Sequence, residues 1–218
     1  MTSDELAERL SRHPSPVSRY TSLSMKMLGL TGGVGMGKST SAQLLHWRGA
    51  AIVDTDDLAR QVVQPGQPAL AEVQKFFGEG VVGPDGQLRR EELARIVFAD
   101  TAARQQLEAI LHPRIRELWR TQVETWRKEG QPLAVVVIPL LFETHADADF
   151  DAVICVACTA ATQRQRLLAR GWKPEDIAQR VAAQWPIAEK MARAHYVIWT
   201  EAGMDVHAQQ LYRIVPKQ

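Results

Sequence analysis

The chain has 218 residues, 45% of them hydrophobic and 23% charged, with a formal net charge of +1. Such values describe a globular chain long enough to bury a sizeable core, in one domain or in one domain with an insertion. They exclude recruitment of nucleic acid or of an anionic membrane by a global field, so an anionic ligand must be held by a local site.

Residues 1–25 read apart from the rest, because Glu8–Ser24 is rich in Ser, Arg and Pro with little apolar periodicity. That predicts a flexible N-terminal extension ahead of a folded unit over residues 26–218. Asp4, Glu5 and Glu8 interrupt any hydrophobic signal core, and no apolar run approaches the ~20 residues that span a bilayer. The two cysteines, Cys155 and Cys158, cannot build a disulfide framework, so a reducing, cytoplasmic setting is expected.

From Lys26 onward, strands and helices alternate. Met27–Thr31 is a short apolar strand, Lys38–Arg48 the helix after it, and Ala50–Asp54 a second strand. The continuous apolar runs Leu133–Leu141 and Ala152–Cys158 predict strands covered on both faces, and Tyr196–Thr200 a fifth. Helical patterns occupy Thr101–Arg127 and Thr159–Arg170, and Gly78–Gly86 carries turn chemistry. Residues 68–130 contain no strand pattern and read as a helical insertion over one edge of the sheet. The alternation predicts a three-layer α/β fold around a parallel sheet with right-handed crossovers.

The stretch "LTGGVGMGKSTS" (Leu30–Ser41) fits G-x-x-x-x-G-K-S/T, with Gly32, Gly37, Lys38 and Ser39 at the fixed positions. Residues without Cβ let consecutive backbone N–H groups of Gly33, Gly35, Met36 and Gly37 curl around phosphate oxygens. The helix that follows presents its N-terminal N–H groups to the same anion. Lys38 supplies charge for the β- and γ-phosphates, Ser39 a hydroxyl ligand for Mg²⁺, and Thr40 a contact to the α-phosphate. A glycine-rich turn with a solvated lysine would be the plainer alternative, but the strand before and the helix after are the context of a nucleotide-binding loop.

A nucleotide site alone names no reaction. The chain contains no asparagine, so the Asn-Lys-x-Asp guanine motif of GTPases is absent. Within "VDTDDLAR" (Val53–Arg60), Asp54 ends the second strand and Asp56 follows two residues later. Strand C-termini converge on the ligand crevice of a parallel sheet, which points these carboxylates at the phosphates. One acid would hold Mg²⁺, directly or through water, and one would accept a proton from an attacking hydroxyl. The alternative is that Asp56 or Asp57 only caps the next helix. Arg164, Arg166, Arg170 and Arg180 surround a Gly-Trp-Lys-Pro turn within residues 162–185, either a solvated basic face or a mobile lid that neutralises phosphate charge.

These pieces resemble the dephospho-CoA kinase family over roughly residues 27–202. The resemblance rests on "GLTGGVGMGKST" (Gly29–Thr40), "VDTDDLARQVVQPG" (Val53–Gly66), "LHP" (Leu111–Pro113), "PLLFE" (Pro139–Glu143) and "RVAAQWPIAEKMARAHYVI" (Arg180–Ile198). It implies transfer of the γ-phosphoryl group of ATP to the ribose 3′-hydroxyl of dephospho-CoA. It further implies a P-loop NTPase core, a helical acceptor-binding subdomain over about 68–130 and a lid over about 162–185. By the same resemblance Asp56 is the general base, and Asp54 lies beside the metal and acceptor. Arg166 and Arg170 belong to the lid side, while His112 and Glu143 line the acceptor. Val137 stands where the family often carries an acid, and "HYVIWTEAG" replaces the commoner "DYVIDN", making His195, Trp199 and Thr200 unusual. Other acceptors compatible with the residues are a nucleoside or a nucleotide, and a different class would be a non-catalytic ATP-binding regulator. Oligomeric state is not encoded in any motif.

Other signals read as structural. Cys155 and Cys158 match C-x-x-C but lie in an apolar strand with no second pair, and Trp119 and Trp126 are spaced for core packing. His13, His46, His145 and His207 show no ligand spacing.

Overall fold

A computed structural model describes residues 25–215. The extension over residues 1–24, with His13, lies outside the described residues.

Five strands, β1 (Lys26–Gly32), β2 (Ala51–Asp54), β3 (Leu133–Val137), β4 (Ala152–Ala157) and β5 (Tyr196–Trp199), form one all-parallel sheet in the order β2-β3-β1-β4-β5. The nine helices among the described residues are α1 (Lys38–His46), α2 (Thr55–Gln61), α3 (Pro68–Phe77), α4 (Arg90–Ala99), α5 (Thr101–Lys128), α6 (Ala160–Ala169), α7 (Pro174–Ala182), α8 (Ile187–Arg193) and α9 (Met204–Ile214).

Side-chain alternation along β3 divides the core. Leu133, Val135 and Val137 join the cluster under α1 and α9, whereas Ala134 and Val136 join the one under α2 and α5. All five residues are buried, as a central strand covered on both faces requires. The apolar run reads on to Leu141, yet the strand stops at Val137. Ile138 N–H still bonds the Leu30 carbonyl, but Pro139 has no N–H to continue the ladder and the chain turns away. The Pro139 carbonyl accepts from the side chains of Thr31 at 3.2 Å and Lys190 at 2.7 Å.

A third cluster, with Val62, Leu70, Val73, Leu93, Val97 and Ile110 among its members, gives α3–α5 a core of their own. The 28-residue α5 contains Pro113 and crosses from this cluster to the sheet, where Trp119 and Val123 are buried. In the Gly78–Gly86 loop a 3₁₀ turn (Glu79–Val81) precedes a bridge between Val82 and Leu88. Register places Asp54 beside Val137 and Val137 beside Leu30, so the C-terminal tips of β1, β2 and β3 end on one line. The phosphate loop and the aspartates at the end of the second strand meet there.

Candidate active site

The turn after β1 is shaped by two glycines with positive φ. Gly32 has φ +145°, and a Cβ there would lie 2.3 Å from the Val156 carbonyl oxygen of β4. Gly37, with φ +103°, is the N-cap of α1. The first turn of α1 contains no acidic side chain, so its unpaired N–H groups and dipole remain available to an anion.

Lys38 folds back over the loop, its Nζ donating to the Gly32 carbonyl at 2.9 Å and to the Gly33 carbonyl at 3.0 Å. Burial pulls its ammonium down to about 8, Asp56 opposing that fall and the neighbouring Lys190 adding to it. Ser39 is exposed beside it, and Thr40 is half-buried.

Asp54, not Asp56 or Asp57, caps α2: its Oδ1 accepts from the Asp56 N–H at 2.9 Å. The capping alternative weighed for Asp56 and Asp57 therefore falls on the wrong residue. Burial, with Asp56 and Asp57 close by, raises the Asp54 carboxyl above its ordinary value, against the pull of that hydrogen bond and of Lys38. Asp56 is exposed and engaged by no cap. Asp57 is taken up by Arg60 at 2.5 Å.

Asp56 lines a cleft of about 970 Å³ between α5 and the strand tips, together with His112, Arg116, Trp119, Pro139 and Glu143. His112 and Glu143 thus occupy the same cleft as Asp56. Burial lowers the His112 imidazole below its usual value, Glu108 partly opposing it. Trp119 stacks on Phe150 at 5.7 Å in the core and also borders the cleft, whereas Trp126 only packs against the core.

Arg166 and Arg170 part company. Arg166 binds the Thr200 hydroxyl (2.9 Å) and carbonyl, and the same hydroxyl donates to the Met36 carbonyl (2.9 Å). That chain ties Arg166 to the phosphate loop. Arg170 is exposed at the C-terminal cap of α6 and borders neither loop nor cleft. The unusual "HYVIWT" residues have identifiable work: Thr200 is the buried bridge just described, and His195 Nδ1 accepts the Val153 N–H at 3.1 Å. Trp199 donates its indole N–H to Glu201, which also accepts from Thr159 and Thr162 and is held down to about 2 by those hydroxyls.

Sequence reasoning missed Lys190. It is fully buried, its Nζ donating to the Pro139 carbonyl and to Glu143 Oε1, each at 2.7 Å. Glu143 Oε1 also accepts the Trp185 N–H at 2.9 Å, while its buried Oε2 has no partner. A lysine among "IAEKMARA" reads as a solvated helix face, and only the fold reveals the carboxylate and carbonyl opposite it. Cys155 and Cys158 are buried free thiols, with burial pushing Cys155 up to about 12. His207 is buried too, hydrogen-bonded to Ser41 at 2.7 Å, and His145 is exposed on a turn.

A glycine-rich anion loop, a lysine folded over it and an unengaged aspartate on an adjacent acceptor cleft define a P-loop kinase. Residues 26–205 match the family described as CoaE, dephospho-CoA kinase. The dephospho-CoA kinase of Anaeromyxobacter dehalogenans is 47% identical over 192 residues, covering 88% of this chain and 91% of that one. That of Symbiobacterium thermophilum is 45% identical over 183 residues, covering 83% and 76%. The crystal structure of TT1252 from Thermus thermophilus, 33% identical, superposes with a TM-score of 0.77 over 88% of this chain and 96% of its own. The chain belongs to the dephospho-CoA kinase family.

Proposed function

We propose that the protein transfers the γ-phosphoryl group of ATP to the ribose 3′-hydroxyl of dephospho-CoA, yielding coenzyme A and ADP. The observation that carries this reading is Asp56. Its exposed carboxylate borders the acceptor cleft and at the same time acts on the charge of Lys38.

Asp56 takes the proton from the acceptor hydroxyl as that oxygen attacks the γ-phosphorus. Lys38 leaves the Gly32 and Gly33 carbonyls for the β- and γ-phosphates, and the N–H groups of Gly33, Gly35, Gly37, Lys38, Ser39 and Thr40 hold the remaining phosphate oxygens, those of Val34 and Met36 being engaged by Gln184 and by the Gly33 carbonyl. Asp54 keeps α2 and thus Asp56 in place through its cap, leaving its Oδ2 outside that bond. Ser39 and Asp54 would hold Mg²⁺. Among the described residues no three His, Cys, Asp or Glu groups form a cluster that could hold a metal ion. Such an ion neutralises charge on the transferring phosphoryl group.

His112 and Glu143 bind the acceptor, whose bulk suits the cleft. Residues 68–130 act as the acceptor-binding subdomain. Residues 162–185 act as the lid, Arg166 already docked through Thr200 and Arg170 arriving on closure. No described helix is long and apolar enough to cross a membrane, and the buried free thiols suit a reducing cytoplasm.

The test is a product assay with purified protein, ATP, Mg²⁺ and dephospho-CoA, with adenosine and nucleoside monophosphates as rival acceptors. Coenzyme A and ADP in equal amounts, with the rivals inert, is the expected result. Transfer to a rival alone would overturn the acceptor, and nucleotide binding without transfer would favour a regulator.

A further inference from the structure

Val34 sits in the middle of the phosphate loop, and both polar groups of its backbone are taken by glutamine side chains from outside the loop. Gln184 Oε1 accepts the Val34 N–H at 3.0 Å, and Gln163 Nε2 donates to the Val34 carbonyl at 2.7 Å. Gln163 is buried on α6, just before the 162–185 segment leaves the core, and Gln184 follows α7 where it returns. The same face of α6 brings Leu167 against Gly35.

Peptide geometry turns these contacts into orientation. A trans peptide points its C=O and N–H in opposite directions. With the Val34 N–H held by Gln184, the Gly33 carbonyl must face the other way, and there it accepts from Lys38 Nζ at 3.0 Å and from the Met36 N–H at 3.2 Å. With the Val34 carbonyl held by Gln163, the Gly35 N–H is turned away from α6. The residues on either side of Val34 are glycines, which impose no conformation of their own.

We infer that Gln163 and Gln184 are positioning residues of the phosphate loop, gripping its central residue from the two ends of the lid so that the loop meets the diphosphate of a bound nucleotide with its N–H groups already aimed. Trp185, next in sequence, extends the grip to the acceptor side through Glu143. The inference rests on the phosphate-loop reading proposed above.

Binding of ADP and of adenosine is measured by calorimetry for the full chain and for Gln163→Met, Gln184→Met and Lys38→Ala, with Tm recorded for each. Each methionine variant keeps the side-chain length and removes the hydrogen bond. Losing a buried hydrogen bond of this kind weakens ADP by about tenfold, while adenosine, which has no phosphate, stays within about twofold. A merely structural role would weaken both ligands together or lower Tm with ADP affinity intact, and either result overturns the inference. If Gln163→Met does not fold, the half-buried Gln184→Met carries the same comparison alone. Should Lys38→Ala also leave ADP unaffected, the phosphate-loop reading itself fails. ADP lost in Lys38→Ala but retained in both glutamine variants defeats only the positioning role.

Discussion

Raising the pH from 7 to 9.5 should switch off nucleotide capture through one residue. Burial places the Lys38 ammonium at about 8 in the nucleotide-free protein, below its ordinary 10.5. Lys38 is then about nine-tenths charged at pH 7 and about one-tenth charged at pH 9. Since kcat/KM reports the free enzyme, kcat/KM for ATP should fall by about tenfold per unit above the break. A bound triphosphate favours the charged form, so kcat at saturating ATP should break at higher pH. The assay is chromatographic quantification of coenzyme A, with Lys38→Arg as control, because a guanidinium stays charged and should abolish the break. The same shift has a stability sign. Between about 8 and 10.5 the unfolded chain holds a proton that the folded one has lost, so stability rises with pH across that window and the gain is absent below it. Lys38→Met should lack this rise in Tm. A flat kcat/KM for ATP from pH 7 to 9.5, or a break in kcat alone, would refute the buried-ammonium account.

Asp56→Asn should lower kcat by about 10²–10⁴-fold, the usual contribution of a general base, with KM for dephospho-CoA little changed. Single-turnover rates check it, and a normal rate would move the base role to Asp54. Lys190→Met leaves the Glu143 carboxylate buried without its cation, which costs about 3–5 kcal/mol or roughly a 10 °C loss of Tm. Adding Glu143→Gln should recover part of that loss in calorimetric melting. Gly32→Ala drives a Cβ to 2.3 Å from a backbone oxygen and should abolish soluble expression. Gly80→Ala meets nothing within 4 Å and should stay within about 1 kcal/mol of the parent in denaturant titrations.

Much of the core and phosphate loop could be read in advance because the strand, glycine and helix signals there agreed with one another. The apolar runs at Leu133 and Ala152 read as buried parallel strands, the first of them only as far as Val137, and the glycines before Lys38 adopt backbone torsions that other residues avoid. That Asp56 would lie near the strand tips could be read from Asp54, which ends a parallel strand two residues earlier, and the structure places Asp56 on the lining of the cleft there. What escaped depends on partners distant in sequence. Lys190 needs Pro139 and Glu143, Thr200 needs Met36 and Arg166, and the glutamines need Val34. Nothing local separates a buried lysine or glutamine from a solvated one, so these roles emerge only when the sheet brings the segments together. The division of labour between Arg166 and Arg170 was equally hidden, since both lie on α6 or its cap and only one meets Thr200.

Strand order also sets a timetable for synthesis. β1 pairs with β3 on one side and β4 on the other, and those partners are roughly a hundred residues or more further along the chain. During translation the first strand emerges with no neighbour to bond, and it waits while α1–α5 appear. Such non-local parallel pairing is slow to form and leaves apolar edges open in the interim. The nascent chain is therefore expected to depend on chaperone cover until residues near Ala157 have left the ribosome, and truncations ending before β4 should aggregate.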